Sequence, residues 1–125
     1  MKSINNLNLN IMEWYLKVVR NYAVFTGRAR RTEYWMFVLF NILFAALASV
    51  LDWILGSWNM VSGLYGLAML IPSIAVAVRR LHDINKTGFF LLIGLIPVIG
   101  FIWLLILFLK EGDMGDNQYG TDPKL

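Results

Sequence analysis

The sequence predicts an all-α integral membrane protein, with three transmembrane helices preceded by an N-terminal amphipathic helix at the membrane interface. Three observations carry this. Hydrophobic residues make up 58% of the 125 positions and charged residues only 15%, a balance too apolar for a soluble domain of this size. The apolar residues are gathered into three windows, Tyr34 to Gly56, Val61 to Val78 and Phe89 to Leu109. Each window is close to the length of about 20 residues that carries a helix across a hydrocarbon core of roughly 30 Å. The only formal charge inside them is Asp52. A soluble helical core would need polar outer faces that these windows lack.

Residues 1–11, MKSINNLNLNI, contain one lysine and four asparagines but no apolar stretch of the kind a cleavable leader needs. The first span is therefore expected to direct insertion. Met12 opens a tidier start, MEWYLKVV, so residues 1–11 read as a dispensable extension ahead of a single membrane domain over 12–125. There is no cysteine, which excludes disulfides and thiolate ligands.

Residues 12–25 place Glu13, Lys17 and Arg20 four and three apart, a narrow charged stripe on an otherwise apolar helix. Glu13 to Lys17 is the favoured order for an i,i+4 pair. Trp14, Tyr15 and Tyr22 suit the membrane interface, where a ring sits in the boundary and its polar atom faces water. The expected element is a helix lying on the membrane surface; packing of the same helix against the spans is the alternative. Thr26 and Gly27 then end it, glycine being common just past a helix terminus.

The first span, about 34–56, follows GRARRTEYW, in which Thr32 can cap the helix and Glu33 suits its first turn. About four residues, Ser57 to Met60, separate it from the second span at about 61–78, so these two should form a tight antiparallel hairpin. Small residues recur four apart at Ala45/Ser49, Ser62/Gly66 and Ser73/Ala77, a spacing that allows close helix approach in lipid. Pro72 and Pro97 each remove an amide donor and predict kinks in the second and third spans. Gly94 and Gly100 flank Pro97. A single kinked third span over 89–109 is preferred, with a re-entrant hairpin of two short arms as the alternative. The tail, 110–125, reads as an irregular solvated segment.

Lysine and arginine prefer short cytoplasmic loops. With three spans, Lys2, Lys17, Arg20, Arg28, Arg30 and Arg31 share a side with Arg79, Arg80 and Lys86, leaving Lys110 and Lys124 opposite. The expected topology has a cytoplasmic N-terminus and an external C-terminus; a re-entrant third segment would bring the tail inside. Membrane orientation accounts for the net charge of +3, so no nucleic acid partner is expected.

Four segments together resemble a known family: GRARRTEYW at 27–35, RRLHDINKTGFF at 79–90, IPVIG at 96–100 and GDMGDNQYGTDP at 112–123. In combination they are similar to domain-of-unknown-function family 805, small bacterial inner-membrane proteins. The resemblance runs from about Met12 to Pro123. Its pattern falls on Gly27, Arg28, Arg31, Glu33, Tyr34 and Trp35, on Arg79, Arg80, His82, Asp83 and Gly88, and on Asn117, Tyr119, Gly120, Asp122 and Pro123. Where the family usually has tryptophan after the loop glycine, this chain has Phe89 and Phe90. The resemblance implies a bacterial inner-membrane location and supplies no reaction.

The candidate site is a polar cluster of Arg28, Arg31, Glu33, Arg79, Arg80, His82 and Asp83 that would bind an anionic lipid headgroup or a partner protein. If the second helix continues past Val78, Arg79 and Asp83 fall i,i+4 on one face with His82 beside them and Arg80 turned away. The favoured reading of the two arginines is nonetheless that Arg79 and Arg80 snorkel to the headgroups and fix orientation, with the binding cluster as its alternative. A proton-handling role for His82 is a third, since histidine ordinarily titrates near neutral pH. No enzymatic activity is expected: there is one histidine, no cysteine and no serine in a recognisable nucleophile setting. No cofactor is expected, and no metal, since Asp113, Asp116 and Asn117 do not follow the calcium-loop spacing.

Two function classes remain. The favoured one is a non-enzymatic membrane component that binds membrane lipids, assembles with itself or supports a membrane-protein partner. The alternative is a small transporter or channel subunit, which would ordinarily need polar residues deep in the spans; Asn41, Ser49, Ser73 and Asp52 are the candidates.

Overall fold

A computed structural model describes residues 11–123, and among these the regular elements are all helical. The expectation about residues 1–11 falls almost wholly outside that range. In chain order the elements are α1 (Ile11–Arg20), α2 (Arg31–Leu55), α3 (Met60–Asp83), a 3-10 segment (Gly88–Leu95) and α4 (Ile99–Leu109). Among the described residues, only α2 and α3 are long and apolar enough to cross a membrane.

α2 and α3 form the expected antiparallel hairpin. Three side-chain pairs mark its register: Ser49 with Ser62 at 3.2 Å, Asn41 with Tyr65 at 2.7 Å and Glu33 with Arg79 at 2.7 Å. α2 stops at Gly56, whose φ of 63° suits a residue without Cβ. α3 has no cap from its own Asn59 side chain. Asp52 on α2 serves instead, its carboxylate accepting from Ser57 Oγ at 2.6 Å and from the backbone amides of Val61 and Ser62 at 2.8 and 2.9 Å. The lone acid of the apolar windows therefore satisfies the open donors of a helix end. The opposite end differs from expectation, because α2 begins at Arg31 and Thr32 does not cap it.

α1 turns Trp14, Tyr15 and Val18 inward. Tyr15 stacks on Phe37 and its hydroxyl lies 3.0 Å from that of Tyr65, so α1 fills the crevice between α2 and α3. The packed alternative describes this helix better than a purely surface one. It also ends earlier than expected, at Arg20. The outer faces of α2 and α3 remain apolar, with Ile42 61% and Leu67 70% exposed, as a lipid-facing surface requires.

The third apolar window is not one kinked helix. The 3-10 segment and α4 are separated by a reversal at 96–98, where the Ile99 amide bonds the Pro97 carbonyl at 2.7 Å across Val98, whose φ and ψ are 64° and −64°. This is the rarer, strained form of γ-turn. Pro97 withholds an amide from any continuing helix. A Cβ at Gly100 would collide with the Ile93 carbonyl, and one at Gly94 would come within 2.9 Å of Leu104, so the glycines let the arms close on each other. Each arm reaches about 16 Å at the 3-10 or α rise, roughly half a hydrocarbon core. Both ends return to the foot of α3: Gly88 packs against Val78, and the Lys110 carbonyl accepts from Arg80.

Candidate functional site

The polar cluster forms where the α1–α2 linker, the end of α3 and the C-terminal tail converge. α3 does continue past Val78 to Asp83, so consecutive arginines point in different directions from its last turns. Arg79 Nη1 donates to Glu33 Oε2 of α2 at 2.7 Å, and its Nε donates to the Val24 carbonyl at 3.1 Å. Lys17 of α1 approaches the other Glu33 oxygen at 3.5 Å. One buried carboxylate thus ties three helices together.

Asp83 is the second centre. Its Oδ1 accepts from Arg28 Nε at 2.9 Å and its Oδ2 from Arg80 Nη1 at 3.0 Å, both at side chains no more than 1% exposed. The expected i,i+4 pairing of Arg79 with Asp83 is replaced by an i,i+3 pairing with Arg80, and Arg80 turns inward. Neither Arg79 nor Arg80 snorkels, since they are 4% and 0% exposed. Tertiary partners decide the matter, because a buried guanidinium needs a carboxylate or carbonyls within reach and the linker and α2 supply them.

The tail is irregular but docked, where a solvated segment was expected. Arg28 organises it: Nη1 donates to the carbonyls of Gly115 at 2.6 Å and Gly120 at 3.3 Å, and Nη2 to that of Asp113 at 2.7 Å. The Asp113 amide donates to the Asp83 carbonyl at 2.8 Å. Gly112 is buried, and a Cβ there would strike the Asp83 carboxylate. Asn117 Nδ2 donates to the His82 carbonyl at 2.9 Å, while its Oδ1 accepts from the Tyr119 amide at 2.8 Å, fixing the turn that presents the Tyr119 ring. That ring lies on the His82 imidazole with centroids 4.0 Å apart and planes 2° apart. His82 Nδ1 sits 2.9 Å from the Gly27 carbonyl and so acts as the donor. Asp122 Oδ2 accepts from the Gly115 amide at 2.8 Å, Gly120 pairs in a bridge with Asn117, and Pro123 is half-buried beside them.

Of the predicted cluster, Arg28, Arg80, His82 and Asp83 are brought together with the tail residues, and Glu33 and Arg79 form an adjoining pair. Arg31 stands apart, exposed, donating to the Leu109 carbonyl at 3.0 Å. Lys17, Gly112 and the carbonyls of Lys110, Asp113 and Gly115 were not singled out as site groups. The glycines of GDMGDNQYG were the available signal, since they leave carbonyls open to a guanidinium.

What this arrangement does chemically is bind its own parts. Three buried guanidinium groups, Arg28, Arg79 and Arg80, meet two buried carboxylates, Glu33 and Asp83; backbone carbonyls accept further donors of each, while Arg79 Nη2 and Arg80 Nε are left without a hydrogen bond among the described residues. Breaking such a pair is costly even where forming it contributes little net stability, so the geometry serves to specify one docked arrangement.

The family model described as protein of unknown function (DUF805) matches residues 22–121. Inner membrane protein YhaI of Escherichia coli strain K12 is 48% identical over 114 residues, covering 90% of this chain and 97% of its own. Inner membrane protein YhaH of the same organism is 44% identical over 120 residues, covering 91% and 98% respectively. No solved structure matches the chain.

Proposed function

Because this chain belongs to the DUF805 family, we propose that it is a non-enzymatic, multi-pass protein of the bacterial inner membrane whose basic end faces the cytoplasm and engages anionic lipid. On this reading α2 and α3 cross the bilayer, the 3-10 segment and α4 form a re-entrant hairpin, and both termini are cytoplasmic.

The observation that carries the reading is the distribution of charge across the folded chain. Lys17, Arg20, Arg28, Arg30, Arg31, Arg79, Arg80, Lys86 and Lys110, every lysine and arginine among the described residues, belong to segments that meet at one end. The far end, residues 56–59, carries none of them, and neither does the reversal at 96–98, which the short arms carry only about half-way along α3. The three-span arrangement left Lys110 on the wrong side; the re-entrant hairpin removes that exception to the positive-inside pattern. The exposed members of that set, Arg20, Arg31 and Lys110, are each attracted to an anionic leaflet by about 1 kcal/mol when near the surface.

The non-enzymatic part rests on how the reactive groups are used. Glu33, Asp83, His82 and Asp122 hold the fold together, and the polar groups of the spans are similarly engaged: Asp52 caps α3, Asn41 accepts from Tyr65, and Ser49 pairs with Ser62. That weighs against a transport pathway lined by the same groups.

The test is enrichment. Protein extracted in native membrane particles should carry more phosphatidylglycerol and cardiolipin than the surrounding membrane. Unchanged lipid composition, or solute or proton flux in proteoliposomes abolished by Asn41→Ala, would overturn the reading.

A further inference from the structure

Arg31 is the member of the predicted cluster that the junction does not enclose, and it crowns a different feature. α2 and α4 meet at their polar ends, where Trp35 Nε1 donates to the Phe108 carbonyl at 3.0 Å and the rings of Tyr34 and Phe108 stack 4.6 Å apart. Beyond that contact the helices leave a groove of about 470 Å³, walled by Trp35, Val38 and Ile42 on one side and Phe101, Leu104 and Leu105 on the other. Arg31 lies four residues before Trp35 and seven before Val38, on the same face of α2. Its exposed guanidinium reaches across to the Leu109 carbonyl at 3.0 Å, which places a positive charge at the groove mouth, and the exposed Lys110 follows at the same end.

An apolar slot about 10 Å long, running from Trp35 to Ile42 along a spanning helix with a cation at its polar end, has the chemistry of one class of molecule. We propose that the groove between α2 and α4 is a binding site for a single anionic phospholipid, its phosphate on Arg31 and one acyl chain between Trp35 and Leu104. A free anion would satisfy Arg31 but not the apolar walls; a neutral lipid would fill the walls and leave the guanidinium without a counter-charge. This inference rests on the reading above, that the basic end meets an anionic leaflet, and it assigns that contact to one site.

The experiment is native mass spectrometry of the purified full chain in detergent, titrated with phosphatidylglycerol or with phosphatidylcholine of the same acyl chains. One phosphatidylglycerol should be retained per chain, with a preference of about five-fold or more over phosphatidylcholine, the factor that one basic side chain contributes near an anionic charge. Arg31→Ala should reduce retention to the phosphatidylcholine level, and Arg31→Lys should restore most of it. Leu104→Trp, which fills the groove, should displace both lipids while circular dichroism stays helical. Retention unaffected by Arg31→Ala and Leu104→Trp overturns the site while leaving lipid engagement standing. Absence of any preference for phosphatidylglycerol in the unmodified chain overturns both. A dimer that Leu104→Trp dissociates, with no lipid bound, assigns the groove to a second copy and overturns the proposal.

Discussion

Tyr119 lies flat on His82, ring centroids 4.0 Å apart and planes 2° apart, although a whole apolar segment separates them in the sequence. The contact exists only because the 3-10 segment and α4 return the chain to the foot of α3. Asn117 holds the tyrosine from below through the His82 carbonyl, and Gly27 holds the imidazole from the linker. A double-mutant cycle between His82→Ala and Tyr119→Ala, read by thermal unfolding in detergent, should give a coupling of about 0.5–1.5 kcal/mol, the range for paired rings. Additive effects would mean that the two rings do not interact.

Asp83 joins Arg28 to Arg80 in a setting with almost no solvent. Asp83→Ala leaves two buried guanidinium groups without their carboxylate and should destabilise the fold by about 3–5 kcal/mol. Unfolding followed by tryptophan fluorescence checks this, and a loss below about 1 kcal/mol would count against a buried ion pair there.

Arg28→Lys separates charge from geometry. A lysine keeps the attraction to Asp83 but cannot reach the carbonyls of Asp113, Gly115 and Gly120 as a planar fork does. The tail should undock more often, and tryptic cleavage after Lys110 should accelerate by roughly ten-fold for each 1.4 kcal/mol lost. Gly112→Ala should do the same by steric means, since its Cβ meets the Asp83 carboxylate, with helical content unchanged.

Much of the architecture was legible in the sequence, and the parts that were not share a cause. The α2–α3 hairpin follows from two apolar windows joined by a short turn, and the windows located both helices, although α3 runs five residues past Val78 to Asp83. Helical phase also suggested Arg79 with Asp83, yet Arg79 meets Glu33 of another helix and Asp83 meets Arg28 of a linker. Periodicity identifies neighbours along one helix only. The tail misled for a related reason. Its glycines and asparagine are ordinary loop chemistry, and they become a docked strap only after the third segment reverses. That reversal is a competition between one kinked crossing and a tight turn at Pro97, which window length alone does not decide.

The turn itself can be tested. Val98 holds a φ of 64°, where a β-branched residue is strained by roughly 1–3 kcal/mol. Val98→Gly should raise stability by about 1 kcal/mol, a gain reduced by glycine's greater freedom when unfolded. Gly100→Leu should have the opposite effect, because its side chain must displace the Ile93 carbonyl. If that segment were a single crossing helix, Val98→Gly would lower stability instead.

The central claim is that linker, loop and tail occupy one side of the membrane. Paired C-terminal fusions, to a reporter active only in the cytoplasm and to one active only in the periplasm, test it most directly. The account predicts signal from the cytoplasmic reporter alone, matching fusions at the N-terminus; activity of the periplasmic reporter at the C-terminus would contradict it.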